Sequence, residues 1–139
     1  MATFTKYQDA VERMWTAIHD LTASGHVVKA IIHTDAPVVA TDVGLSDFTQ
    51  ITGTGYTSGG TDTQNAMTES GGTATWTATD ITWTAGAADW TSTARYVTQY
   101  NATSAGGKVL NYWDYGATFA LANGETFTLD FGASVATLT

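Results

Sequence analysis

The chain has 139 residues, with 13 acidic and 5 basic side chains and a formal net charge of −8 at pH 7. Binding to nucleic acid normally needs several lysines or arginines on one face, and the few basic residues here are scattered, so a phosphate-binding surface is excluded. The sequence contains no cysteine, which excludes disulfides, thiolate metal sites and a cysteine nucleophile. At this length one hydrophobic core is enough, and we expect a single domain over residues 1–139.

The start of the chain has neither the basic segment nor the apolar segment of a signal peptide. No apolar run approaches the ~20 residues that a membrane span requires. We therefore expect a protein that is made in the cytoplasm and has no membrane partner.

The N-terminal segment, residues 5–24, carries the strongest helical pattern. Its large apolar residues recur at spacings of three and four and form one stripe, which consists of Tyr7, Val11, Met14, Trp15, Ile18 and Leu21. Asp9 and Arg13 are spaced for an i,i+4 ion pair. The pattern predicts an amphipathic helix whose apolar stripe packs on a sheet.

The two ends of this helix carry their own signals. Thr5 and Gln8 have the spacing of a capping box, in which each side chain bonds a backbone N–H of the first turn. Gly25 is a residue type that commonly follows the last helical turn. The sequence therefore predicts a helix that begins near Thr5 and ends shortly before Gly25.

Residues 26–33 (HVVKAIIH) are β-branched and mostly apolar, which predicts a central strand shielded on both sides. Residues 34–72 contain the single proline, Pro37, and a glycine-rich stretch. We expect a long loop region here, with a short turn of helix near residues 46–49. Long loops in compact domains tend to be functional or to be ordered by a partner.

Residues 73–139 are predicted to form a β-meander. The stretch TATWTATDITWT alternates threonine with apolar residues, but the apolar positions change from even to odd numbers near Thr79 and Asp80, which predicts a bulge or tight turn there. Turn residues separate the candidate strands, which are residues 73–79, 81–84, 94–101, 108–115, 117–121, 125–131 and 134–138. The chain is therefore predicted to be mainly β, as an antiparallel β-sandwich or partly open barrel with the N-terminal amphipathic helix packed on the sheet.

The last hairpin permits a prediction of register. A two-residue turn would place the apolar residues of its two strands on opposite faces, whereas a three-residue loop at 122–124, with Gly124 in the left-handed conformation, pairs Phe119 with Phe127. Burial favours the second register, which puts four apolar residues on one face: Leu121, Phe119, Phe127 and Leu129.

No catalytic or metal-binding pattern emerges from the sequence. His19, His26 and His33 are evenly spaced, but the spacing crosses a helix, a turn and a strand, so we expect unrelated and partly exposed histidines and no metal. The aspartates of the loop region lack calcium-loop spacing and are interpreted as loop caps: Asp35, Asp42, Asp47 and Asp62. Serine-hydrolase and zinc-protease motifs are absent from the sequence. We expect no enzyme activity and no cofactor.

Aromatic residues are the remaining candidates for function. Tyr112 and Trp113 are adjacent on a predicted strand and must face opposite sides, and Trp90 stands among small residues as a candidate exposed anchor. These rings belong either to the core or to a contact with a protein or a carbohydrate. The candidate interface residues are Trp90, Tyr96, Tyr100, Tyr112, Trp113, Tyr115 and Tyr56.

Signature stretches run along nearly the whole chain: MATFTKYQDAVERMWTAIHDL, GYTSGGT, ATWTATDITW, ARYVTQYN, YWDYG and NGETFTLDF. Together they resemble a group of small structural proteins that are encoded in the virion modules of tailed bacteriophages. Within that class, the size, acidity and β-rich body are similar to capsid decoration or cement proteins. No motif of this group assigns roles to individual residues.

The resemblance implies a non-enzymatic virion protein that binds the assembled head and stabilises it. Its implied partners are the major capsid protein and further copies of itself, with a trimer favoured because the strand-edge aromatics exceed what one small core needs. The alternatives are a tail or neck subunit, such as a tail-tube or terminator protein, and a carbohydrate-binding β-module. A shallow row of exposed, coplanar rings would favour the carbohydrate module.

Overall fold

The computed structural model describes residues 3–87 and 90–139. It is mainly β, with 44% of the residues in strands and 8% in helices, as the sequence predicts. Alternation of threonine with apolar residues produces several of the strands, because it suits a pleated and half-buried surface. The elements, in chain order, are β1 (Thr3–Lys6), α1 (Gln8–Trp15), β2 (Val28–His33), a 3₁₀ turn (Leu45–Asp47), β3 (Thr61–Asp62), β4 (Ala66–Ser70), β5 (Thr73–Thr77), β6 (Ile81–Thr84), β7 (Trp90–Asn101), β8 (Lys108–Leu121), β9 (Thr126–Leu129) and β10 (Ala136–Leu138).

Within the described residues, the strands form three antiparallel sheets. The largest has the order β1-β8-β7-β2-β3, the second has the order β10-β5-β4, and the third pairs β6 with β9. The predicted central strand is confirmed, because β2 lies between β7 and β3, and five of its six residues are buried.

The main core lies between the five-stranded sheet and the two smaller sheets. Alternate residues of β2 and β7, such as Ile32 and Val97, pack against Trp83 and Leu129 of the β6–β9 pair. Farther along the same face, Leu110 packs with Trp76 of the three-stranded sheet. The arrangement is therefore sandwich-like.

The opposite face of the five-stranded sheet is covered by α1 and the loop that follows β2. Tyr7, Ala10 and Phe48 pack there against Ile31 and Val109. A helix near the N-terminus thus packs on the sheet, as predicted. Because both faces of β2 are covered, its sequence contains apolar residues on both sides.

The helix is much shorter than predicted. It ends at Trp15 in a Schellman-type arrangement, in which the Ile18 N–H donates to the Arg13 carbonyl at 2.9 Å and Ala17 adopts a left-handed φ of 57°. The predicted capping box is wrong as well, because Thr5 belongs to β1 and the residue before the helix carries no side-chain cap. Glycine usually occupies the position that Ala17 holds, so the sequence does not predict that the helix ends here.

The six apolar residues of the predicted helix are consequently divided between two environments. Tyr7 and Leu21 are buried, whereas Trp15 is 86% exposed and the other members are at least 36% exposed. The prediction that the whole stripe packs on the sheet is therefore wrong. The predicted ion pair is present, since Arg13 donates to the carboxylate of Asp9.

The long loop region is only partly irregular. Residues 34–60 contain the predicted helical turn, found at Leu45–Asp47, and two isolated β-bridges, at Gly44 and Gln50. Strands β3 and β4 follow, and β4 forms a hairpin with β5. The predicted break near Thr79 and Asp80 is confirmed in a different form: the chain leaves the three-stranded sheet after Thr77 and enters the β6–β9 pair at Ile81. A change of sheet, and not a bulge within one strand, shifts the apolar phase.

The predicted final hairpin is wrong in its strand pairing and correct in its side-chain contacts. Gly124 has the expected left-handed φ of 86°. However, β9 pairs with β6, while Phe119 lies opposite Ala94 of β7. The rings of Phe119 and Phe127 nevertheless stack with centroids 4.5 Å apart, because the two strands meet at the corner between two sheets.

Candidate interaction surfaces

Trp90 is a core residue, so its prediction as an exposed anchor is wrong. The side chain is 1% exposed, and its indole N–H donates to the Thr54 carbonyl at 2.9 Å. The ring of Tyr56 packs edge-on against it, and the Tyr56 hydroxyl donates to Gln50 at 2.8 Å. Burial raises the pKa of Tyr56. Both rings therefore anchor the glycine-rich loop to the body.

Tyr96 and Tyr100 are buried on the helix-covered face of the five-stranded sheet. They are 8% and 4% exposed, and the Tyr100 hydroxyl donates to the Gly59 carbonyl at 2.7 Å. Tyr112 is half-buried beside Tyr7, with ring centroids 5.6 Å apart. Because Tyr96 and Tyr100 lie inside this chain, they offer a partner little surface.

Tyr115 is exposed, and Trp113 is half-buried against the main core. Tyr115 belongs to a bulge in β8, and Trp113 lies just before it. Between the pairs Ala94–Phe119 and Tyr96–Asp114, β7 contributes only Arg95 whereas β8 contributes residues 115–118. The bulge is held by Asp114, which accepts two hydrogen bonds from Arg95 at 2.7 and 2.8 Å. Hydrogen bonds from Arg95 lower the pKa of the Asp114 carboxyl, so the pair stays charged near neutral pH.

The Asp114 carboxylate also accepts the Gly116 N–H at 2.8 Å, and Gly116 has a left-handed φ of 90°. Glycine is favoured here because other residues are strained in this conformation. The bulge leaves Tyr115 54% exposed. Tyr115 and Trp113 line a cleft of about 470 Å³ beside β9.

A second surface was not among the sequence candidates. Val11, Met14 and Trp15 on α1, with Ile18 just after it, are 40%, 45%, 86% and 36% exposed. We call these four residues the apolar stripe. Their spacing was recognised in the sequence, but a helical period predicts a shared face and does not say whether a domain core or another molecule covers that face.

His26 is partly exposed, as predicted, but the other two histidines are buried and two of the three share a partner. His19 and His33 are 8% and 0% exposed, and burial lowers the pKa of each to about 4. The Nδ1 atoms of His19 and His26 both lie against the Asn101 side-chain amide, at 3.1 and 2.9 Å. His33 lies elsewhere, with its Nε2 2.9 Å from the Thr98 hydroxyl. His19 and His26 therefore join the turn after α1 to the end of β7.

The aspartates of the loop region cap backbone N–H groups, as predicted. Asp42 accepts the Val38 N–H at 2.6 Å, and Asp47 accepts the Val43 and Gly44 N–H groups at 2.8 and 3.0 Å. The remaining two act in the same way: Asp35 accepts from Thr49, and Asp62 accepts from Gln64. Within residues 3–87 and 90–139, no cluster of three histidine or acidic side chains is arranged to hold a metal ion.

No family model, curated protein or solved structure matches this chain. Among the described residues, no helix is both long enough and apolar enough to cross a membrane. Two surfaces of the described residues are open to contact with other molecules: the apolar stripe and the cleft beside β9.

Proposed function

We propose that this protein is a non-enzymatic structural protein of a tailed-bacteriophage virion, and that it binds the assembled head as a decoration or cement protein and stabilises it. Its partners are the major capsid protein and further copies of itself, with a trimer expected. The protein is made in the host cytoplasm and resides in the virion. The resemblance of the sequence motifs supports the class of protein, and the apolar stripe is the observation that supports a binding role.

The apolar stripe exposes four apolar side chains, among them a tryptophan that is 86% exposed. An exposed tryptophan next to a methionine and two aliphatic residues is typical of a contact surface. A tryptophan side chain buries roughly 200 Å², so removing Trp15 from water would contribute about 4 kcal/mol before the costs of association are subtracted. This free energy is large enough to make one residue dominate a contact.

The body of the molecule suits a shell protein. Threonine-rich strands and few lysines limit the side-chain entropy that is lost on assembly. A subunit that contacts the assembled shell, and does not contact free coat protein, shifts the assembly equilibrium toward the shell by mass action. Stabilisation therefore requires only selective binding and no reaction.

The test of the proposal is a phage that lacks the gene. We expect heads that assemble but release DNA at lower temperature, or after chelation or osmotic shock, while the tails remain normal. Intact and equally robust heads with missing or misassembled tails would contradict the proposal and favour a tail or neck subunit. Light scattering of the purified protein at micromolar concentration tests the trimer, and monomers both in solution and on particles would exclude it.

The carbohydrate module is not supported by any specific observation. Its predicted signature was a shallow row of exposed, coplanar rings. Trp90 is buried, and the rings of Tyr115 and Phe127 contact each other edge-on, at an interplanar angle of 78°. The exposed aromatic surface is therefore a cleft and not a flat platform.

A further inference from the structure

The cleft beside β9 has two walls of different kinds. One wall is formed by alternate residues of two neighbouring strands, Arg95 and Val97 on β7 and Trp113 and Tyr115 on β8. Alternate residues of a strand share a face, so this wall is a face of the five-stranded sheet.

The other wall is formed by six consecutive residues, 127–132. Residues 127–129 belong to β9, and residues 130–132 follow it. Consecutive side chains of a strand point to opposite faces, so residues 127–129 can line one cleft together only if β9 presents its edge to that cleft. The cleft therefore lies between a sheet face and the edge of β9.

The edge of β9 that faces away from β6 carries hydrogen-bonding groups. Within the described residues, β9 pairs with β6 alone. The Ala85 N–H donates to the Glu125 carbonyl at 2.9 Å, and the Phe131 N–H donates to Asp80 at 2.8 Å. Odd-numbered residues of this segment therefore direct their backbone groups toward β6. Because antiparallel ladders alternate, Thr126 and Thr128 direct theirs away from β6.

The side chains of the cleft suit an extended polypeptide. The rings of Trp113 and Phe131 meet edge-on at 5.6 Å, and those of Tyr115 and Phe127 at 5.9 Å, which gives two apolar positions along the cleft. A ladder of backbone hydrogen bonds supplies affinity in such complexes, and pockets for alternate side chains supply specificity. The four residues of β9 span about 13 Å, which matches a segment of four or five residues.

The charged residues of the cleft indicate which kind of polypeptide segment it would bind. Arg95 is already paired with Asp114. Asp130 is exposed and forms no ion pair within the described residues, and the chain carries a net charge of −8. This balance favours a basic side chain near Asp130 and disfavours a second copy of the same acidic chain.

We propose that this cleft binds an extended segment of another protein, which pairs with the outer edge of β9, places apolar side chains at alternate positions on Trp113 and Tyr115, and carries a lysine or arginine near Asp130. The proposal concerns a surface separate from the apolar stripe, and it does not depend on the virion role.

The test is selection of random octapeptides from a display library on the immobilised full-length protein. We expect enriched sequences with apolar residues at alternate positions and one basic residue. Synthetic versions of these peptides should slow hydrogen exchange at the Thr126 and Thr128 amides. N-methylation of the peptide nitrogens that face β9 should weaken binding at least tenfold.

Variants of the protein complete the test. Tyr115→Ala removes an exposed ring and should weaken binding at least tenfold, whereas Leu138→Ala, which changes an apolar residue that is 62% exposed on β10, should leave it unchanged. Circular dichroism verifies that both variants are folded. The proposal is overturned if no peptide is enriched, if the enriched peptides protect other amides, if N-methylation has no effect, or if a glycan or a second copy occupies the cleft instead.

Discussion

Lowering the pH from 7 to 5 should destabilise this protein through two buried histidines. His19 and His33 are almost fully buried, and burial lowers the pKa of each from 6.5 to about 4. The unfolded chain therefore takes up protons in this range while the folded chain does not. Stability is fully present above pH 6.5, and this contribution falls as the pH decreases toward 4.

The magnitude follows from the two pKa values. A histidine with an unfolded pKa of about 6.5 and a folded pKa of about 4 loses about 2 kcal/mol of stability between pH 7 and pH 5. Two such residues together give about 4 kcal/mol, a large share of the ~5–15 kcal/mol that stabilises a typical domain. Near pH 5.3 the slope of the free energy of unfolding against pH should correspond to an uptake of about two protons per molecule on unfolding.

Charged groups near each histidine change its pKa less than burial does. Arg13 and His26 further lower the pKa of His19 and Asp9 opposes them. Asp35 opposes the lowering at His33, and desolvation exceeds all of these effects. The carboxyl pKa of Asp114 is lowered by its hydrogen bonds from Arg95, so this group stays ionised through the range and does not contribute to the slope.

The assay is urea denaturation followed by circular dichroism at pH 7, 6 and 5. His33→Gln retains a polar side chain beside Thr98 and should lower the slope by about one proton. His19→Gln should do the same independently. A free energy of unfolding that changes by less than about 1 kcal/mol between pH 7 and pH 5 would refute the reasoning, as would either variant with an unchanged slope.

Two further substitutions test how the loop over the core is held. Trp90→Phe removes the indole hydrogen bond to the Thr54 carbonyl, which keeps the Gly86 N–H as a donor at 2.7 Å, and replaces a buried ring with a smaller one. We expect a loss of about 1–3 kcal/mol in urea denaturation, and a loss below about 0.5 kcal/mol would show that neither the bond nor the packing of this ring is important. Gly60→Ala would place a Cβ 2.1 Å from the Ala30 carbonyl oxygen, whereas Gly71→Ala meets nothing within 4 Å, although both glycines have left-handed φ. We expect Gly60→Ala to be much the more destabilising in a thermal melt, and equal melting temperatures would contradict the close approach.

Local alternation predicted most of the strand residues from β5 onward, because a period of two is a property of each strand by itself, but β1, β3 and β4 were not predicted. Strand β6 was predicted with its observed ends, and the burial of β2 on both sides followed from its apolar composition. Pairing was harder to predict, because it depends on distant segments. Phe119 and Phe127 touch as predicted, but through a corner between sheets, which no local turn rule describes.

The candidate site was the least predictable part. Trp90 stands among small residues in the sequence, yet the loop at Gly53 folds over it so closely that a Cβ there would lie 2.6 Å from its ring. The exposed Trp15 was expected on a buried stripe, because Ala17 ends the helix where glycine would normally give the signal. Both errors come from long-range packing and an uncommon backbone conformation.

The most direct test of the account is a cryo-electron microscopy reconstruction of the native phage particle. We expect density for this fold on the outside of the head, arranged as trimers, with Trp15 and the rest of the apolar stripe facing the major capsid protein. Particles that carry Trp15→Ala should show reduced occupancy, and those that carry Leu138→Ala should be fully occupied. Density for the fold in the tail or neck, or heads without it, would contradict the central claim.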